Sequence, residues 1–254
     1  MNLGSALSRK IKFVFILGML ILSVAWIALA NPDPIAVKSS DITVVSSSHM
    51  PTGSPGTVNV IAGNITELSI NGTSVTQSWA GVVGLISGTI VLDDAADKRL
   101  YKWSDANPTG QIYLTRNTSV KWTSTNIACW NGVAATVDTA YNISSTDADT
   151  LGKTFTAVSH PAFSVGANSI GANACSYAVH LNNVTGKPST QYTEVLLAGT
   201  GIPTTQPVFA SLLKMNATGF GYDAGNYNFE SIVLEDGHNG DRATTAYYLY
   251  VELK

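Results

Sequence analysis

The chain has few charged residues. Asp, Glu, Lys and Arg make up 12 % of its 254 residues, with 14 basic and 17 acidic side chains. Beyond the first 30 residues, Lys and Arg form no cluster in the sequence. A mildly acidic chain without a basic patch lacks the attraction by which proteins bind nucleic acid or anionic lipid. We therefore expect no nucleic-acid partner and no peripheral attachment to a membrane surface.

Recognisable catalytic motifs are also lacking. The sequence has no G-x-S-x-G nucleophile elbow and no H-E-x-x-H metal pair. A catalytic histidine needs a nucleophile beside it and a third group that orients it. We interpret the histidines as surface residues. We predict that the protein is not an enzyme, and we rank an enzyme third among the possible functions. The four histidines are His49, His160, His180 and His238.

The segment 1–30 has the layout of a secretory signal peptide. Arg9, Lys10 and Lys12 precede an apolar stretch over 13–30 that ends in Ala28-Leu29-Ala30. A basic region, an apolar region and an A-x-A exit predict cleavage after Ala30 and an extracellular or cell-surface protein. The alternative is an uncleaved anchor, because the apolar stretch is at the lower limit of length for a membrane span. Such an anchor is the one membrane attachment we expect.

Cysteine is scarce, and the chain contains only Cys129 and Cys175. Neither has a second Cys or a His at the spacing of a zinc site. An even number of cysteines in an exported chain predicts a disulfide, which would close a loop of about 46 residues and stabilise by roughly 4 kcal/mol. Two buried free thiols are the alternative.

Residues 31–56 are predicted to form an extended tether. Two pairs of prolines, Pro32 with Pro34 and Pro51 with Pro55, flank a short β-prone segment at 41–45. Ile42, Val44 and Val45 give this segment its strand propensity. We interpret the segment as a strand that can be donated to another sheet.

Residues 57–254 are predicted to form one antiparallel β-sandwich domain, of the jelly-roll or immunoglobulin-like type. Residues 175–182 and 246–253 alternate between apolar and polar positions, as half-buried strands do. Short apolar runs at 58–61 and 65–70 and a glycine-interrupted run at 81–92 are also read as strands. The best helix candidate is 207–215. Many short strands separated by turn residues favour an all-β sandwich.

Several short segments carry a resemblance to a known family. They are G-N-I-T-E-L-S-I at 63–70, the run S-W-A-G-V-V-G-L-I-S-G-T-I-V-L-D-D-A at 78–95, A-N-P-T-G-Q-I-Y at 106–113, H-P-A-F-S-V-G at 160–166 and Y-Y-L-Y-V-E-L at 247–253. In their order along the chain they resemble a family of uncharacterised secreted proteins found mainly in archaea. The resemblance implies a β-rich protein of the cell surface and supplies no catalytic residues.

Three further kinds of site are possible in the sequence. Ca²⁺ prefers carboxylate and carbonyl oxygens in a flexible loop, but no segment matches the EF-hand pattern, so solvated turn carboxylates are the default and no cofactor is predicted. The calcium candidates are Asp93, Asp94, Asp97, Asp236, Asn239 and Asp241. The N-x-S/T acceptors for glycans are Asn64, Asn71, Asn117, Asn142, Asn183 and Asn216. The tryptophans that could fill the core or stack on sugars are Trp79, Trp103, Trp122 and Trp130.

Export, low charge and the missing catalytic motifs together favour a structural function. We expect a subunit of a surface coat or extracellular filament that assembles with copies of itself through β-strand contacts. A carbohydrate-binding module of the cell surface is the alternative. The tether distinguishes the two, because a binding module does not need the strand at 41–45.

Overall fold

The structure is a computed structural model, and all of the described residues belong to the unit Pro32–Lys254. The signal segment predicted over 1–30 lies outside the described residues. None of the helices in the described part is long and apolar enough to cross a membrane. The described residues are 33–51, 54–106, 108–123, 126–157, 159–215, 218–237 and 243–253.

The regular secondary structure of the described residues is mostly short strands. Two short helices, α1 (Ala134–Ala140) and α2 (Leu151–Thr154), interrupt them. The strands in chain order are β1 (Ile35–Ala36), β2 (Trp79–Gly84), β3 (Gly88–Asp93), β4 (Arg99–Ala106), β5 (Pro108–Thr115), β6 (Ile127–Cys129), β7 (Phe163–Val165), β8 (Asn168–Ile170), β9 (Ala178–Asn182), β10 (Pro188–Gly199), β11 (Val208–Ser211), β12 (Phe229–Leu234) and β13 (Tyr248–Leu253).

Seven of the strands form one antiparallel sheet, the central sheet. Its order is β1-β13-β5-β11-β10-β6, and β9 also pairs with β10. Three two-stranded units accompany it, formed by β12 with β2, β3 with β4, and β7 with β8. All the pairings are antiparallel, which confirms the prediction of an all-β protein with antiparallel sheets.

Both faces of the central sheet are buried. In β10, Val195 and Leu197 belong to one hydrophobic cluster and Leu196 to a second one. Tyr113 and Leu114 of β5 divide between the two clusters in the same way. Because successive side chains of a strand point to opposite faces, the two clusters lie on opposite faces of the sheet. The central strands are therefore apolar at consecutive positions and do not alternate.

Different elements cover the two faces. Trp122 and the β7–β8 hairpin contribute to the cluster that contains Val195 and Leu197. Both helices and β12 contribute to the cluster that contains Leu196, through Val137, Leu151 and Val233. These covering layers place β12 against the central sheet. At one edge of the sheet, β1 pairs with β13.

The predicted helix at 207–215 is wrong, since β11 occupies Val208–Ser211 and all four of its residues are buried. A strand buried on both faces shows a continuous apolar run, which can be mistaken for a helix. The glycine-interrupted run at 81–92 contributes to two strands in different sheets, β2 and β3. The runs at 58–61 and 65–70 form no strand.

Cys129 and Cys175 form the predicted disulfide, with their Cα atoms 5.0 Å apart. It joins the end of β6 to the loop before β9. Cys175 belongs to the cluster that contains Val195 and Leu197, and Cys129 packs against that cluster. The alternation over 175–182 predicts that Cys175 and Tyr177 share a face, but the two belong to different clusters. The reason is that β9 begins only at Ala178, so strand alternation does not extend back to Cys175.

Candidate assembly interface

The segment from residue 42 to residue 76 is irregular and mostly exposed where the structure describes it. Its described residues, 42–51 and 54–76, form no helix and no strand. Its large apolar side chains nevertheless face solvent, with Val45 93 % and Ile65 fully exposed. Large apolar side chains exposed in series are a mark of an interaction surface. The exposed set is Ile42, Val44, Val45, Met50, Val58, Val60, Ile61, Ile65, Leu68 and Ile70.

The two ends of this segment are attached to the folded body. On the N-terminal side, β1 pairs with β13, and the N–H of Val37 donates to the carbonyl of Leu249 at 2.9 Å. On the C-terminal side, the hydroxyl of Thr76 donates to the carboxylate of Asp149. The carbonyl of Ser78 accepts from the N–H of Glu235 at 2.9 Å. The segment is therefore a long exposed connection between two anchored points.

The attachment of β1 to the edge of the central sheet is short. Only Ile35 and Ala36 are in register with the edge strand, opposite Val251 and Tyr250. Ile35 remains 51 % exposed although it lies in the sheet. The ladder is therefore two residues long, and the other described residues of the tether form no further strand.

The β3–β4 hairpin presents a second exposed apolar surface. Ile90 lies opposite Trp103 and Leu92 lies opposite Tyr101. Residues that are opposite or two apart in a ladder share a face, so these four side chains form one patch. Each is between 43 % and 57 % exposed, and the rings of Tyr101 and Trp103 are 4.9 Å apart. We call these four residues the hairpin patch.

The first group of calcium candidates has partners within the protein. The guanidinium of Arg99 donates to both carboxylate oxygens of Asp93 at 3.1 Å. Asp94 accepts from the N–H groups of Ala96 and Lys98, as turn-forming Asp residues do.

The remaining calcium candidates have other partners or lie outside the described residues. Asp97 pairs with the ammonium group of Lys38 at 2.7 Å. Asp236 accepts from the side chain of Asn142 at 2.7 Å, while Asn239 and Asp241 lie outside the described residues. Among the described residues no three His, Cys, Asp or Glu side chains come together as a metal site.

The predicted glycan acceptors differ in exposure. Asn64 and Asn71 are exposed within the extended segment, and Asn142 is exposed after α1. Asn117 and Asn183 are half-buried, and Asn216 lies outside the described residues.

The histidines are not all surface residues. His160 is buried, and its Nε2 accepts the backbone N–H of Cys175 at 2.9 Å. Its Nδ1 must then carry the proton, and it donates to the carbonyl of Pro161 at 2.8 Å. The expectation of a surface histidine is therefore wrong for His160, which supports the disulfide loop.

The other histidines offer no catalytic geometry in the described residues. His180 Nε2 bonds the backbone carbonyl of Ser159 at 2.7 Å, so this nitrogen is a donor and cannot deprotonate the Ser159 hydroxyl. His49 is exposed and contacts the carbonyl of its neighbour Met50. His238 lies outside the described residues.

Three of the four tryptophans that could fill the core or stack on sugars pack in the protein. Trp122 and Trp130 are buried, and Trp79 packs against Phe155 with ring centroids 5.8 Å apart. Trp103 is the exposed one and belongs to the hairpin patch.

Two of the three buried glutamates, Glu194 and Glu252, lie at positions that no motif in the sequence marks as buried. Glu194 of β10 accepts from the hydroxyl of Ser231 and, at 3.0 Å, from the N–H of Ile232. Burial raises its pKa to about 8. Glu252 of β13 accepts from the hydroxyl of Tyr113 and, at 3.1 Å, from the N–H of Gly166, and burial raises its pKa as well.

These two carboxyl groups are structural. Glu194 connects the central sheet to β12, and Glu252 connects β13 to the β7–β8 hairpin. A buried carboxyl group needs hydrogen-bond donors around it, and both groups have them. No histidine is among their hydrogen-bond partners in the described part of the chain.

Comparisons with protein-family models, with curated proteins and with solved structures find no match to this chain.

Proposed function

We propose that the protein is an extracellular structural protein, a subunit of a surface coat or filament that polymerises with copies of itself. In this proposal the signal segment exports the chain, and the sequons carry glycans on the outer surface. The tether of one copy adds a strand to the sheet of the next. The body is a sandwich-type fold in which β12 and β2 form a layer against the central sheet.

The exposed segment 42–76 is the observation that carries the proposal. Apolar side chains in an extended chain are stable when they are buried on another surface, and within one copy these are not. Ile42 and Val44 lie on one side of an extended backbone, where both could enter one groove. A donated strand satisfies the unpaired N–H and C=O groups of a sheet edge and places alternate side chains in pockets.

The hairpin patch supports the same function. Four exposed apolar or aromatic side chains on one face of a two-stranded ribbon leave much apolar surface in water. Isolated two-stranded hairpins are marginally stable, so a neighbouring molecule against the patch would also stabilise the hairpin itself.

The alternative is a carbohydrate-binding module, and the same patch is the observation that favours it. Tyr101 and Trp103 are adjacent exposed rings, and exposed aromatic rings provide the apolar surface on which sugar rings stack. This alternative does not account for the exposed apolar tether. We therefore rank it second.

The proposal is tested by deleting residues 31–56 from the mature protein and examining both proteins by electron microscopy. The full-length protein should form filaments or sheets, and the truncated protein should stay a folded monomer. Added in small amounts to the full-length protein, the truncated protein should end growing polymers, since it can accept a strand but has none to donate.

A matched control keeps the length of the tether and removes only its apolar side chains. The triple variant Ile42→Ser, Val44→Ser and Val45→Ser should also fail to polymerise. Polymers of the truncated protein, or a full-length protein that stays monomeric at high concentration, would contradict the proposal. Binding of the monomer to glycans through Trp103 would then favour the carbohydrate-binding alternative.

A further inference from the structure

The strand β1 lies at the edge of the central sheet, and that edge is where a second copy can bind. Within one chain, Ile35 and Ala36 lie opposite Val251 and Tyr250, and Val37 donates to Leu249 at 2.9 Å. This contact shows that the segment and the edge of β13 fit each other. The same contact can be made by β1 of a different copy.

We infer that β1 exchanges between copies, so that β1 of each molecule pairs with β13 of the next. The inference rests on the proposed function. It adds that β13 is the strand that accepts the donated segment, and that β1 is the part of the tether that pairs with it. Ile42 follows soon after Val37 in the chain, so the exchange would also bring the apolar segment 42–45 onto the neighbouring molecule.

The β1 ladder within one chain is short, although Pro34 beside it is buried. Its ladder ends at Val37, Ile35 is half exposed, and the nearby pair of Lys38 with Asp97 is an exposed ion pair that contributes little. When β1 leaves, β13 exposes unpaired backbone groups along its edge. The β1 strand of another molecule can form the same hydrogen bonds with these groups.

The connection after β1 is long enough for the exchange. Between Ala36 and Trp79 the described residues form one 3-10 turn at Ser39–Asp41 and otherwise no helix or strand. An extended chain of about 40 residues reaches roughly 100 Å or more, whereas a domain of this size is roughly 40 Å across. The body of one copy can therefore stay folded while its β1 reaches the next copy.

The exchange leaves the contacts of each sheet unchanged. Swapping an identical element between copies replaces each lost contact by the same contact in another molecule. When each copy donates to the next and no ring closes, the result is an open chain of subunits. Strand exchange is thus a route to a polymer that requires only the surface already present in one copy.

The test uses full-length variants with added cysteines at opposite ladder positions. The native cysteines are joined to each other, so each added thiol is available for a new disulfide. Opposite residues of an antiparallel ladder have Cα atoms about 4.5–5.5 Å apart, which permits a disulfide. In a dilute solution, the double variant Ile35→Cys with Val251→Cys should form a disulfide between these two positions within one chain. This sample is the positive control for disulfide formation at the site.

The decisive sample mixes the single variants Ile35→Cys and Val251→Cys under conditions in which the wild type polymerises. A disulfide between positions 35 and 251 can then form only between two copies. Peptide mapping by mass spectrometry should recover this linked pair from the polymer. A mixture of Leu68→Cys with Val251→Cys is the matched control, because Leu68 is as exposed as Ile35 but has no ladder partner on β13.

Each outcome decides the question. Polymers without the linkage between 35 and 251 overturn the exchange and leave the proposed function standing. Linked closed dimers confirm the exchange and overturn the polymer, and monomers alone overturn both. If the cysteine variants fail to assemble, the variant Val37→Pro is tested instead, because it removes the N–H that is donated to Leu249. This variant should form no polymers, and polymers of it would overturn the exchange.

Discussion

The hydroxyl of Ser231 in β12 donates a hydrogen bond to the carboxyl group of Glu194 in β10, in a site with no access to solvent. The N–H of Ile232 supplies a second hydrogen bond at 3.0 Å. These contacts join the central sheet to the layer above it. They also put an ionisable group in the interior, so the stability of the protein should depend on pH.

Stability should fall as the pH rises from about 4.5 to about 8. Burial raises the pKa of Glu194 from 4.5 to about 8, so the folded protein holds a proton in this range that the unfolded chain has lost. Its contribution to stability is complete below pH 4.5 and disappears by pH 8, a change on the order of 5 kcal/mol. Denaturant unfolding at pH 5, 6.5 and 8 measures it.

The variant Glu194→Gln is the control for this pH dependence. It keeps the shape of the side chain without an ionisable group, so most of the slope should vanish and the variant should exceed the wild type in stability at pH 8. A smaller slope of the same sign should remain, because burial also raises the pKa of Glu230 and of Glu252. A wild type that is equally stable at pH 5 and pH 8 would contradict the assignment.

Replacing His160 should weaken the disulfide loop. In His160→Ala, the buried N–H of Cys175 loses its acceptor, and an unsatisfied buried donor costs about 1–3 kcal/mol. His160→Gln should recover part of the loss, since its side-chain oxygen can accept the same hydrogen bond. His180→Ala, on the partly exposed histidine, should cost about 1 kcal/mol or less. Equal losses at both histidines, measured by denaturant unfolding, would contradict the role of His160.

Two strand glycines should respond oppositely to alanine. At Gly110 a Cβ atom would lie 2.5 Å from the Cβ and 2.1 Å from a carboxyl oxygen of Glu252, so Gly110→Ala should destabilise by about 1–3 kcal/mol. At Gly81 no atom lies within 4 Å of the added Cβ, so Gly81→Ala should be neutral or stabilise by up to about 1 kcal/mol. Thermal unfolding of both variants measures the difference, and a tolerated Gly110→Ala would show that Glu252 can move.

Charges placed on one side of the tether should stop polymerisation without unfolding the monomer. Ile42 and Val44 are both exposed, so the double variant Ile42→Asp and Val44→Asp should leave the free energy of unfolding within about 0.5 kcal/mol of the wild type. Buried against a neighbour, the same carboxylates would be costly. Light scattering measures assembly. Thr43→Asp adds a charge on the opposite side of the strand, and equal inhibition by this variant would contradict a one-sided groove contact.

Prediction from sequence succeeded where one local property decides the outcome. Short apolar runs separated by Gly, Pro, Asn and Asp indicate strands and turns, and the regular secondary structure of the described chain is mostly strand. With two cysteines only one disulfide is possible, and Cys129 and Cys175 form it. Even so, Cys175 and Tyr177 lie in different clusters, because the alternation seen at 175–182 becomes a strand only from Ala178.

Prediction failed where burial depends on distant parts of the chain. The run at 207–215 resembled a helix since nothing local reveals that Val208–Ser211 is covered on both faces. The run at 65–70 resembled a strand, but no partner strand lies beside it in the described chain and Ile65 is fully exposed. No motif marks Glu194 or Glu252 as buried, because the donors that make burial tolerable come from β12, β5 and the turn at Gly166.

The sequence by itself determined that the chain is β-rich, weakly charged and joined by one disulfide, since composition, local periodicity and the cysteine count are properties of the chain alone. Only the tertiary structure decided which strands share a sheet, which carboxyl groups are buried and which apolar segments stay exposed. The physical reason is that burial and strand pairing are contacts between residues far apart in sequence. Ile35 and Val251 meet at the sheet edge although they lie near opposite ends of the described chain.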